Sequence, residues 1–119
     1  MDQFVTAYKN AVLGNYANFN GRLSVGGYWR FVATNIAISV VLYILAMIIK
    51  PLIILYFLYA LAVLIPGIAA AVRRLHDTGK PGIYVLVGLI PCVGLILLIV
   101  WTVQAGTPGD NQYGPAPAA

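Results

Sequence analysis

The ten residues Arg73 to Gly82 carry five ionisable side chains, namely Arg73, Arg74, His76, Asp77 and Lys80. Three chemistries are open to them. A His beside an Asp suggests a general base oriented by a carboxylate. Adjacent helical residues point about 100° apart, however, so this pair cannot form the usual hydrogen bond without a distorted turn. Ser24 is the nearest nucleophile candidate, and no motif surrounds it. One His and one Asp also fall short of a metal site. No catalytic residue, metal or cofactor is therefore expected, and the chain reads as a non-enzyme. The third chemistry is anion binding. Arg73, Arg74, His76 and Lys80 would form a cationic site, with Asp77 within helical reach of both arginines and orienting one of them. The plainer alternative is a helix end at a membrane surface, where Arg73 and Arg74 complement the helix dipole and reach lipid phosphates.

Arg22 and Arg30 form a second constellation. Asp77 is the acid nearest the apolar segments on their side, so an Arg22–Asp77 ion pair would dock the N-terminal region against the charged turn. Alternatively both arginines snorkel to lipid. The candidate set for anionic lipid or a partner is thus Arg22, Arg30, Arg73, Arg74, His76 and Lys80, with Arg22 and Asp77 as a structural ion pair.

The elements that position these residues must be membrane helices. The chain has 119 residues, 61% of them apolar and 8% charged, and is expected to be a single membrane domain over residues 1–119. Its mean hydropathy of +0.89 lies outside the soluble range. Seven Lys and Arg face three acids, for a net charge of +4. The basic residues flank apolar runs and form no separate basic domain, so anionic headgroups are a more economical partner than nucleic acid. The single cysteine, Cys92, sits in an apolar run and reads as a packing residue.

Three segments reach the length of roughly 20 apolar residues that a bilayer-crossing helix needs: 31–49, 52–72 and 83–103. Lys9, Arg22, Arg30, Arg73, Arg74 and Lys80 fall on one side of them and Lys50 on the other. The N-terminus and the charged turn are therefore expected in the cytoplasm, and the tail, residues 104–119, outside. On that reading Trp101 marks the outer interface. Pro66 and Pro91 should kink their spans, with neighbouring helices satisfying the freed carbonyls. A rival reading has Pro91 and Gly94 break the third segment into a re-entrant hairpin that returns the tail to the cytoplasm. The segment is too short for two crossings, which favours the continuous span.

Phe4, Tyr8, Val12 and Tyr16 recur at helical spacing, predicting a short amphipathic helix over 1–17. It either lies on the cytoplasmic leaflet or packs on the spans. Gly67 to Ala71 and Gly88 to Cys92 are small-residue pairs that permit close helix approach, within the chain or in a homo-oligomer. Asn35 reads as an interhelical hydrogen-bond group or as a functional polar site, and its place near the cytoplasmic end favours the first. The tail, rich in Gly and Pro, reads as extended.

Several separated motifs together resemble a known family. They are Asn20-Gly21-Arg22 with Tyr28-Trp29 and Phe31, Arg73 to Gly79, Ile90-Pro91 with Gly94, Ala105 to Asn111, and Tyr113-Gly114-Pro115. This pattern resembles the small bacterial inner-membrane proteins grouped as domain of unknown function 805 (the YhaH/YhaI-like proteins). The family pattern has an acid just before the aromatic pair, where this chain has Gly27. The resemblance implies fold and location, and an ordered tail, but no activity. The expected protein is all-α and integral to the bacterial inner membrane, with three transmembrane helices, an N-terminal interfacial helix and an extended C-terminal tail. Its expected role is an accessory, assembly or lipid-interacting module, docking anionic lipid or a larger membrane complex through its basic face. The alternative is a small oligomeric transporter or channel.

Overall fold

The computed structural model describes residues 2–115 and Pro117. Helix α1 spans Asp2–Lys9 and runs into a π-helical turn, Asn10–Gly14. Helix α2 covers Val25–Ile48. A 3-10 turn, Lys50–Leu52, reverses the chain into helix α3, Ile53–Asp77. A 3-10 stretch, Gly82–Leu89, precedes helix α4, Val93–Val103. The described elements are helical apart from a bridge between Asn111 and Gly114.

Helices α2 and α3, the latter with its 3-10 lead-in, are long and apolar enough to cross a membrane. At about 1.5 Å per residue each exceeds the roughly 30 Å hydrocarbon layer. Side chains such as Ile36, Val41, Met47, Phe57 and Leu61 are exposed along them. That is the pattern expected where lipid, rather than a protein core, covers the helix. Ser24 starts α2 as its N-cap, its Oγ accepting from the Gly27 N–H at 3.0 Å. Pro51 suits the opening of the return helix because its missing N–H is not needed there. At the other end of α3, the Gly79 N–H reaches the His76 carbonyl and the Lys80 N–H the Leu75 carbonyl, with Gly79 at φ +80°.

Pro66 does not interrupt α3, but it removes the N–H that would have bonded the Ala62 carbonyl. The Tyr16 hydroxyl donates to that carbonyl instead, at 2.9 Å. The π-helical turn carries Tyr16 to this point, and Ala11 packs with Phe31 and Ala70 beside it. Elsewhere α1 lies along α2 and α3. Tyr8 stacks on Phe31 with ring centroids 5.9 Å apart, and its hydroxyl meets that of Tyr59 at 2.7 Å. Tyr59 in turn donates to Asn35 across the α2–α3 seam at 2.7 Å. The α-helix expected over 1–17 is therefore α-helical only to Lys9, and it packs on the spans.

The segment 83–103 departs most from expectation. It is not one helix but two antiparallel pieces joined at Ile90–Cys92. Each piece is about 16 Å long from its residue count, roughly half the hydrocarbon thickness. The reversal is a γ-turn, with the Val93 N–H bonding the Pro91 carbonyl at 2.7 Å and Cys92 at φ +63°. Cys92 is exposed at this apex rather than packed. Gly94 permits the closure, because a Cβ there would fall inside the Val87 carbonyl. Tyr84 and Trp101, far apart in a continuous helix, lie 5.3 Å apart between ring centroids. Trp101 therefore sits at the same end as Tyr84, and the tail leaves the bundle beside Asp77. Residues 83–103 thus form a hairpin in place of the continuous helix expected there, and the chain leaves α4 at the end of the bundle where Asp77 lies.

Candidate functional site

The ends of α2, α3 and α4, the loop before α2 and the tail meet at the charged end. Asp77, the last residue of α3, is the centre. Its Oδ1 accepts from Arg22 Nε at 2.9 Å and its Oδ2 from Arg74 Nη1 at 2.6 Å. These are the two ion pairs among the described residues, and all three side chains are at most 5% exposed. The structure thus brings Arg22 and Asp77 together across 55 positions of sequence.

Arg22 has all five N–H donors engaged. Besides Asp77 Oδ1, it donates to the backbone carbonyls of Thr107, Gly109, Gly114 and Asp77. Arg74 donates to the carbonyls of Thr102 at 2.9 Å, Leu23 at 3.4 Å and Gln104. Both guanidinium groups therefore bind the fold together instead of reaching headgroups. The Thr102 carbonyl, left free at the end of α4, also accepts from Trp29 Nε1 at 3.1 Å. Three helices are thereby joined through one carbonyl.

The tail is folded over this cluster. The Thr107 N–H donates to the Asp77 carbonyl at 2.7 Å, and Gly106 passes so close to the Asp77 carboxylate that a Cβ would overlap it. Asn111 and Gly114 close a tight turn, and Asn111 Nδ2 bonds the His76 carbonyl at 3.0 Å. Composition alone reads this tail as unstructured. The signal for its order lay in its motifs, whereas the backbone carbonyls that hold Arg22 and Arg74 leave no mark in a sequence.

His76 is held, not poised. Its Nδ1 donates to the Gly21 carbonyl at 2.9 Å, and its ring stacks on Tyr113 with centroids 4.0 Å apart and planes 3° from parallel. A Cβ at position 82 would come within 3.2 Å of its Nε2, and Gly82 leaves that space. Both Asp77 oxygens serve arginines, so no His–Asp pair forms. Ser24 serves as the N-cap of α2. Lys80 donates to Gln104 Oε1 at 2.8 Å and Thr78 Oγ1 at 3.2 Å. Burial, and secondarily the Arg74 charge, push its ammonium below its ordinary pKa. No group of three or more metal-binding side chains occurs among the described residues.

Arg30 and Arg73 remain. The Arg30 guanidinium folds back over Gly26, and no carboxylate pairs with it among the described residues. Arg73 is 5% exposed, and its Nε and Nη2 are buried without a hydrogen-bond partner.

These residues can be set against known proteins. A family described as "Protein of unknown function (DUF805)" matches residues 16–115. Inner membrane protein YhaH of Escherichia coli strain K12 is 40% identical over 114 residues, covering 89% of this chain and 92% of the relative. Inner membrane protein YhaI of the same strain is 37% identical over 108 residues, covering 90% of this chain and 92% of the relative. No solved structure matches. The family match takes in Arg22, Arg74 and Asp77 together with the tail that covers them, and the chain is a member of the DUF805 family of membrane proteins.

Proposed function

We propose that this protein is a non-enzymatic module of the bacterial inner membrane that binds anionic lipid headgroups at its cytoplasmic end. The observation that carries this reading is the charge asymmetry of the folded chain. Arg22, Arg30, Arg73, Arg74 and Lys80 gather at one end, and Lys50 lies alone at the other. Asp77, Asp2 and Asp110 lie at the same end and offset part of this charge, and that end keeps a net positive charge. The positive-inside rule supports a cytoplasmic charged end, and a tail folded on that end would share its side. Each cation near an anionic surface contributes about 1 kcal/mol of attraction.

The groups that would otherwise suggest catalysis are held in structural contacts, as described for His76, Asp77 and Ser24. A transporter needs polar groups along a path through the bilayer. Here Asn35 takes the Tyr59 hydroxyl, and Thr34 Oγ1 donates to the Arg30 carbonyl at 2.8 Å. Neither group favours the channel alternative.

The test is the lipid that accompanies the protein out of the membrane in mild detergent, read by native mass spectrometry. Anionic lipid should be enriched over its share of the bulk membrane, and Arg30→Gln with Lys80→Gln should reduce that enrichment. Bound lipid with the bulk composition would overturn the proposal. A stoichiometric protein partner would redirect it to an assembly role.

A further inference from the structure

Three arginines at the charged end differ sharply in their bonding. Arg22 has five donors engaged and Arg74 four, yet the Arg73 side chain has no hydrogen bond among the described residues. A guanidinium cannot escape burial by losing its proton at physiological pH. Leaving one buried and unpaired is strongly unfavourable, so a partner is called for.

Arg73 lines an open cleft of about 710 Å³ between the polar face of α1, the loop before α2 and the end of α3. Arg30 lines it from α2, and Ser24, Asn18 and Asn20 line it from the loop. Arg22 also borders it, but its charge is shared with Asp77. Asp2 is the one acid on the wall, so the two uncommitted arginines outnumber it. Hydroxyl and amide groups beside two guanidinium groups form a donor-rich site suited to a tetrahedral oxyanion.

We propose that this cleft is a binding site for a phosphate group, with Arg73 as its buried anchor and Arg30 as a second donor at its side. The site rests on the lipid-binding reading and sharpens it. That reading needs a cationic face, whereas this site needs one defined phosphate per chain. The phosphate of an anionic lipid headgroup is at hand at this end of the spans, and a soluble phosphate offers the same chemistry.

The full chain would be reconstituted into phosphatidylcholine bilayers with and without phosphatidylglycerol and then extracted into a phosphate-free maltoside detergent. Bound lipid would be counted after a high-salt wash, and thermal unfolding recorded. The wild type should retain one phosphatidylglycerol per chain through the wash and unfold at higher temperature when it is present. Arg73→Gln should weaken retention by about tenfold to a hundredfold, as expected for losing charge-assisted hydrogen bonds. It should also abolish the temperature rise, and Arg73→Lys should restore part of both. In that detergent with all lipid removed, Arg73→Gln should unfold no lower than the wild type, because it removes an unpaired buried charge. This keeps a binding loss distinct from a folding failure.

Inorganic phosphate and glycerol phosphate added to the lipid-free protein in the same detergent form the second arm. Stabilisation of the wild type but not of Arg73→Gln by them would support the site with a soluble source. Equal retention by wild type and Arg73→Gln would overturn the site. If salt-sensitive enrichment of anionic lipid persisted in that case, the broader lipid-binding reading would stand. If no anionic preference existed at all, both would fall.

Discussion

Asp77 holds two arginines from different parts of the chain, Arg22 in the loop before α2 and Arg74 one turn back on α3. Removing its charge would leave two buried guanidinium groups without an anion, a change that generally costs about 3–5 kcal/mol. Asp77→Asn should therefore sharply lower the unfolding temperature in detergent, and an unchanged temperature would refute this role. Exchanging the charges, Arg22→Asp with Asp77→Arg, should not rescue the fold. An acid at position 22 would face the carbonyls of Thr107, Gly109 and Gly114, which accept from the present guanidinium. Arg22→Lys should also fail to substitute, since an ammonium has three donors on a point charge and the site uses five in a planar fork. The measurement is the same melting curve, with Arg22→Lys expected close to Arg22→Met.

Elements at this site depend on partners distant in sequence. Pro66 leaves the Ala62 carbonyl without its helical donor, and Tyr16 supplies one. Tyr16→Phe should cost about 1–3 kcal/mol by leaving a carbonyl unsatisfied in an apolar layer. In a Pro66→Ala background the helix regains its own N–H, so the cost of Tyr16→Phe should largely vanish. A double-mutant cycle on unfolding free energy reads this coupling, and additive effects would sink the explanation. The re-entrant hairpin has a comparable dependence on Gly94, where any side chain would collide with the Val87 carbonyl. Gly94→Ala should open the hairpin, separating Tyr84 from Trp101 and changing the Trp fluorescence.

For the molecule as a whole, the hairpin returns the tail to the end of the bundle that holds the charged turn. The longest dimension, 49 Å, matches a bilayer with its headgroup regions, roughly 40–45 Å. Along that axis the loop before α2, the charged turn and the tail share one end, and Lys50 marks the other. Single cysteines at positions 20 and 112 should therefore label from the same side of the membrane, and one at position 50 from the opposite side. Cys92 would first be replaced by Gly, which tolerates the left-handed backbone there. Labelling of positions 20 and 112 from opposite faces would restore the three-span topology.

Much of this architecture was legible beforehand. Runs of apolar residues require lipid, and their lengths marked the two long helices. The gathering of Arg22, Arg30, Arg73, Arg74 and Lys80 on one side is likewise a property of the sequence. What could not be read was which of those cations face outward and which bind the fold together. Backbone carbonyls carry that distinction: Thr107, Gly109 and Gly114 hold Arg22, whereas nothing within the described fold holds Arg73. The course of residues 83–103 was equally hidden, because hydropathy measures how long an apolar segment is and not whether it reverses. A γ-turn at Cys92 and the absence of a side chain at Gly94 decide that reversal, and they act through close tertiary contact.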